Sequence, residues 1–438
     1  MSDIYRYKTE PLKAWTKAKE IRDNYYREYA EAKQNGKLRW SGSGITLCAL
    51  VKGFGDDIVR ITGEPYGATI GYNPKFALEC QEATETKGYA RDMCAYLRNY
   101  WGSMWVDKYA FGGPFPKPDF LYTSMFCCMQ AKWYQRVAEE ENIPYHASDF
   151  AMGKVADTWD KDWRVEYVAN QCFDSIEWLE KTLGRKCDEE KVIKAIYDEC
   201  RATALWSKIC MLNQAKPAPL DEKTMYSLYV LTILDKSSPV IADFYEELLA
   251  EVQYRVDNQI AAVPTERCRV MHDSQPPWSF LKLFRYMEKF GVVSVGSYYT
   301  FCLGSAWDYI DGHMVPAKTP QEQGIQFKNM EEAIRFYAEW NVRRRPIVES
   351  MHAAQPKIDY TLSIARDWHA DGAIMHFNRG CEGISLNCAE VRGAMVKAGI
   401  PVMVYEGNHA DDREFDENAA ISRVEAFMER LGLKKLVD

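Results

Sequence analysis

The stretch Gly372-Ala-Ile-Met-His-Phe-Asn-Arg-Gly-Cys-Glu382 decides how this chain is read. A short apolar run over 372–376 is followed by a loop over 378–381, and a helical pattern then continues through residue 392. Short apolar runs bounded by breakers, with helical stretches between them, are what buried parallel strands look like in sequence. The same alternation recurs outward from this point. Pro401-Val-Met-Val-Tyr405 lies downstream, and Arg269-Val-Met-His272 and Val292-Val-Ser-Val295 lie upstream. Nearer the N-terminus, Phe120-Leu-Tyr-Thr-Ser-Met-Phe126, a helix over 128–142 and Ile143-Pro-Tyr-His146 give the order β-α-β.

Between these regions, apolar residues recur at three and four positions: Val168, Cys172, Ile176, Leu179 and Leu183, then Ile196, Cys200 and Ala204. That is the spacing of helices with one buried face. The expected fold is therefore α/β. Two doubly wound parallel-sheet domains, flavodoxin-like or Rossmann-like, are expected at 41–161 and 263–438, joined by a helical bridge at 162–262. An N-terminal helical arm, rich in Lys, Glu, Ala, Arg and Tyr, is expected over 1–40. The two α/β halves could be diverged relatives. In such sheets ligands gather at the carboxyl ends of the strands.

A net charge of −8 argues against a nucleic-acid partner or an anionic membrane surface. The only basic run, Arg343-Arg344-Arg345, is expected to end a solvated helix. The chain has no apolar run of 18 residues and no leader pattern, which points to the cytoplasm. Thirteen Trp and 27 Tyr suit core and subunit contacts, or a pocket for a flat organic substrate. In a reducing compartment the 13 cysteines serve as core filler, metal ligands or redox groups. Cys172, Cys200 and Cys210 belong on apolar helix faces, and Cys388 falls in a helix and should be packed.

Cys127 and Cys128 directly follow an expected strand and open a helix, and Cys381 has the same placement. Cys94 sits in the helical stretch Arg91-Asp-Met-Cys-Ala-Tyr-Leu-Arg98. No C-x-x-C pair is present, so spacing alone does not specify a metal. Among the histidines, His376 and His272 stand at strand ends, whereas His313 and His409 lie in polar loops and are expected to be solvated.

The segments His369-Ala-Asp-Gly-Ala-Ile-Met-His-Phe-Asn-Arg-Gly-Cys-Glu-Gly383 and Ala398-Gly-Ile-Pro-Val-Met-Val-Tyr-Glu-Gly-Asn-His-Ala-Asp-Asp-Arg413 resemble the C-terminal signature of the 2-hydroxyacyl-CoA dehydratase and benzoyl-CoA reductase family. A shorter match covers Asp92-Met-Cys94 and Cys127 with Lys132-Trp-Tyr134. Within the family the chain looks most like the B-type subunit of ATP-dependent benzoyl-CoA reductase. The resemblance implies that Cys94, Cys127 and Cys381 hold a [4Fe-4S] cluster with a non-cysteine fourth ligand. The vicinal Cys128 leaves the second ligand ambiguous, and the spare thiols leave a larger or double-cubane cluster open.

The implied reaction is ATP-dependent reduction of benzoyl-CoA or an analogue to a cyclic dienoyl-CoA. Its implied partners are a related catalytic subunit, an ATP-hydrolysing iron-sulfur activator, a ferredoxin-type electron donor and an aromatic acyl-CoA. The chain itself carries no phosphate loop, because Gly42-Ser-Gly44 lacks the Gly-Lys-Ser/Thr ending. His376 and Glu382 are candidate proton donors, and Arg379 could stabilise charge; His376 could equally be a structural hydrogen-bonder, and Arg379 could pair with Glu382 or Glu406. The alternatives are a 2-hydroxyacyl-CoA dehydratase subunit working through a ketyl radical, a non-catalytic iron-sulfur electron carrier, and a structural zinc protein.

Overall fold

The computed structural model describes residues 5–152 and 161–436. Residues 1–4 of the expected arm, and the stretch just before the boundary expected at 161, lie outside the described residues. Eight strands form two parallel sheets. The first contains β1 (Leu38–Gly42), β2 (Ile58–Thr62), β3 (Phe120–Met125) and β4 (Tyr145–Asp149); the second contains β5 (Cys268–His272), β6 (Val292–Ser297), β7 (Gly372–Asn378) and β8 (Val402–Gly407). The orders are β2-β1-β3-β4 and β6-β5-β7-β8. Both halves therefore have one strand order, 2-1-3-4, and in each the direction of winding reverses between the first and third strands. Trp40 pairs with Phe120 across that point in the first sheet, and Val270 pairs with Gly372 in the second.

Six of the strands lie where the apolar runs predict them. β1 and β2 carry buried arginines instead. Arg39 donates Nε to the Tyr29 carbonyl at 2.8 Å, and Arg60 lies over the Trp40 ring at 4.8 Å with Nη1 on the Leu234 carbonyl at 3.2 Å. With their charges answered by carbonyls and a ring face, these side chains fill interior positions that hydropathy assigns to apolar residues.

The central helices are Lys161–Leu183, Glu189–Leu212, Glu222–Asp235 and Pro239–Asp257. Val168, Cys172, Leu179, Ile196, Cys200, Ala204 and Cys210 are fully buried on them, as the spacing predicts. The helix Trp15–Glu31 packs against the body through buried Ala18, Tyr26 and Tyr29 rather than standing free. The basic triplet is also corrected: Arg345 is buried, donates to the Leu303 carbonyl at 2.5 Å and lies 4.0 Å from buried Glu199. Among the described residues no helix is long and apolar enough to cross a membrane.

Candidate active site

The loops after β1, β3, β5 and β7 face one cavity of 490 Å³, lined among others by Gly44, Cys127, Gln275 and Cys381. Each sheet thus offers its reversal point to the same space, where open α/β sheets bind ligands. Cys94, Cys127 and Cys381 line it together. All three are half-buried, and each is the N-cap residue of a helix: Ala95–Trp105, Cys128–Glu141 and Glu382–Ser385 respectively.

The electrostatics of the three thiols follow from that placement. Burial pushes Cys94 up to about 12, and the neighbouring Cys381 adds to the shift. Cys127 is raised well above the usual thiol range by burial, with Cys381 and Cys94 adding to it, and Cys381 is raised by burial as well. Backbone N–H groups at the helix starts oppose this, those of Tyr96 and Leu97 for Cys94, Gln130 for Cys127, and Gly383 and Ile384 for Cys381. Thiols this dry become thiolates only when a cation or metal stands beside them. Among the described residues no three His, Cys, Asp or Glu side chains stand close enough to hold a single ion. Thiols lining one cavity, with backbone N–H groups behind them, are a donor set of the kind that holds iron-sulfur clusters.

Cys128 is exposed, and its Sγ donates to Glu382 Oε2 at 2.7 Å outside the cavity lining. Gly383 lets the Cys381 loop close on Cys127. A Cβ there would stand 3.5 Å from Cys127 Cβ and 2.6 Å from Met351 Cε.

His376, Arg379 and Glu382 are not brought to the cavity. His376 is fully buried, its Nδ1 donates to the Gln275 carbonyl at 2.7 Å, and its ring stacks on Tyr405 at 4.7 Å. Burial lowers its pKa to about 3, so it stays neutral at any working pH. Arg379 is exposed and paired with Glu406 at 2.6 Å, and Glu382 is exposed beside Cys128. His272 is likewise buried, between the Ser274 carbonyl and Tyr405. His313 is half-exposed on Asp367, as expected.

Two residues escaped the sequence reading. His409 is fully buried, not solvated: Nδ1 bonds Asn378 Oδ1 at 3.0 Å, the ring meets Tyr96 edge-on at 4.1 Å, and Nε2 lies 3.9 Å from Cys94 Sγ. Glu64, which follows a strand in Gly63-Glu-Pro65, lines the cavity and accepts from Gly44 N at 3.0 Å and from Gln130. Burial raises its pKa, against those hydrogen bonds and the Arg60 charge. The strand before it, β2, is not marked by an apolar run, so nothing local singled Glu64 out.

Comparison with known proteins fixes the family. The family model described as 2-hydroxyglutaryl-CoA dehydratase, D-component, matches residues 67–431. The alpha subunit of (R)-2-hydroxyglutaryl-CoA dehydratase from Acidaminococcus fermentans is 23% identical, over 94% of this chain and 96% of its own. The (R)-phenyllactyl-CoA dehydratase alpha subunit of Clostridium sporogenes is 23% identical over 92% of each chain, and the lactoyl-CoA dehydratase alpha subunit of Anaerotignum propionicum is 25% identical over 92% of each. These relatives are dehydratases. They overturn the expectation that the chain reduces benzoyl-CoA and favour the dehydratase alternative. The chain belongs to the 2-hydroxyglutaryl-CoA dehydratase D-component family.

Proposed function

We propose that this chain is the alpha-type subunit of an anaerobic 2-hydroxyacyl-CoA dehydratase, which eliminates water from a 2-hydroxyacyl thioester to give the 2-enoyl thioester. The observation that carries this reading is the convergence of Cys94, Cys127 and Cys381 on one cavity, each from a helix N-cap. These three would hold a [4Fe-4S] cluster, with Cys128 left outside. A cluster bound there supplies one-electron transfer and an iron that lacks a fourth protein thiolate.

The chain's own residues do the rest. Glu64, held by Gly44 N–H and Gln130 and shifted toward its acid form by burial, is placed to take and return a proton at Oε2. The aromatic lining keeps water from the reacting end of the substrate. The relatives' names supply a partner subunit and an acyl-CoA substrate. An ATP-hydrolysing iron-sulfur activator and a ferredoxin-type donor would complete the system, since the loop after β1 has no Gly-Lys-Ser/Thr ending.

The test is anaerobic purification with the partner subunit, followed by iron and sulfide counts, electron paramagnetic resonance, and assay with a 2-hydroxyacyl-CoA. Cys94→Ala, Cys127→Ala and Cys381→Ala are expected to lose cluster iron, and Cys128→Ala to keep it. A full cluster in Cys381→Ala would overturn the ligand assignment. Zinc without sulfide would overturn the function.

A further inference from the structure

The cavity that holds the three thiols is divided chemically. Glu64, Gln130 and Gln275 gather beside the thiols, and Gln275 is 1% exposed with its Oε1 unpartnered. Much of the remaining lining is aromatic. Tyr226 meets Trp278 edge-on at 5.4 Å, Tyr229 meets Tyr299 edge-on at 5.2 Å, and Tyr226 and Tyr299 are 6.1 Å apart. Trp278 Nε1 donates to the Tyr96 hydroxyl, two residues after the Cys94 N-cap, which fixes the wall beside the thiols. Ile233 and Leu234 continue it along the helix Glu222–Asp235.

Positive charge reaches this interior only from behind its lining, from Arg60 toward Glu64 and Lys357 toward Cys381. Among the described lining residues the one cation is Arg22, 42% exposed at the mouth and 3.7 Å from its neighbour Asp23. A carboxylate on the acyl chain would enter a dry space that already holds Glu64 and offers it no partner. A one-carbon side chain would leave the aromatic wall without contact and lose the burial it offers.

Resting on the dehydratase reading, we infer that the substrate is a 2-hydroxyacyl thioester with a bulky apolar side chain, aromatic before branched aliphatic, and neither a dicarboxylic nor a short-chain acid. In this arrangement the aryl group packs on Tyr226, Tyr229, Trp278 and Tyr299. The 2-hydroxyl meets the Gln275 amide oxygen, and the nucleotide end leaves past Arg22.

Two measurements on the assembled, cluster-loaded enzyme separate this inference from the reading beneath it. The first is binding of the unreactive thioesters 3-phenylpropanoyl-CoA, glutaryl-CoA and propanoyl-CoA, followed by tryptophan fluorescence. The phenyl compound is expected to bind at least tenfold more tightly than either other. Equal or tighter binding of glutaryl-CoA or propanoyl-CoA would overturn the inference, whatever the enzyme catalyses. The second is turnover of the matching 2-hydroxyacyl-CoA esters. Failure of all of them, with the phenyl preference in binding intact, would overturn the dehydratase reading and leave the assigned side-chain class standing. Tyr229→Ala is expected to weaken 3-phenylpropanoyl-CoA binding far more than propanoyl-CoA binding and so to shrink the phenyl preference at least threefold; a retained preference would overturn the placement of the aryl group.

Discussion

Glu64 stands under two opposed influences. Hydrogen bonds from Gly44 N–H and Gln130 favour its carboxylate, burial favours its acid, and burial prevails. A carboxyl whose acid form is favoured by burial is better suited to donate a proton than a solvated one. Glu64→Gln keeps an oxygen for the Gly44 bond and removes the exchangeable proton. It is expected to lower kcat by about 10²–10⁴-fold while iron, sulfide and the paramagnetic spectrum stay unchanged. Unaltered turnover would take Glu64 out of the chemistry. His376 shows why proximity in sequence misled. It stands inside β7, two residues before the strand's end and five before Cys381, and its ring bonds the Gln275 carbonyl and stacks on Tyr405. Residue type and spacing place a side chain on a strand; which face it takes is decided by what the neighbouring strand offers.

At the scale of elements, three helix starts aim at one point because their neighbours hold them there. The helix Gly63–Gly71 lies backbone to backbone on the helix that begins after Cys94: a Cβ on Gly67 would be 2.6 Å from the Tyr96 carbonyl oxygen and 2.7 Å from Tyr96 Cα. Backbone cannot rotate away as a side chain can. Gly67→Ala is expected to destabilise the protein by about 1–3 kcal/mol and to lower cluster occupancy, read by thermal denaturation and iron content. A variant with wild-type melting and iron would show that the helices do not need this contact. Much of this scale was legible in the sequence. The strands β3 to β8 and the placement of Cys127 and Cys381 follow from apolar runs ended by loops; β3, β5, β6 and β7 are buried along nearly their whole length. β1 and β2 were not legible, because Arg39 and Arg60 are satisfied by carbonyls distant in sequence, and nothing local announces such partners. His409 was misjudged for the same reason: its loop is polar, but Asn378 and Tyr96, distant in sequence, enclose it.

Across the whole molecule, the halves are joined by a buried ion pair. Arg98, on the helix after Cys94, bonds Asp411, in the loop after β8, at 3.0 Å, and both side chains are inaccessible to solvent. Arg413 and Glu85 extend the pair to the surface. Removing one partner strands the other's charge, a loss of about 3–5 kcal/mol. Asp411→Ala is expected to lower the melting temperature and to free the His409 loop from Cys94, so that hydrogen exchange rises over residues 408–413. Equal protection in variant and wild type would show that this ion pair does not hold the His409 loop in place. The shared strand order 2-1-3-4 agrees with a relationship between the halves that the sequence only suggests.

That shared architecture also divides the thiols unequally: Cys94 and Cys127 come from the first half, Cys381 from the second. Neither half carries all three. During synthesis the first two are complete some 250 residues before the third exists, so a nascent chain exposes a pair of thiols with nothing to close over them. Iron and sulfide delivered early would meet half a binding site. If these three thiols hold the proposed cluster, its site is complete only once the two halves have docked.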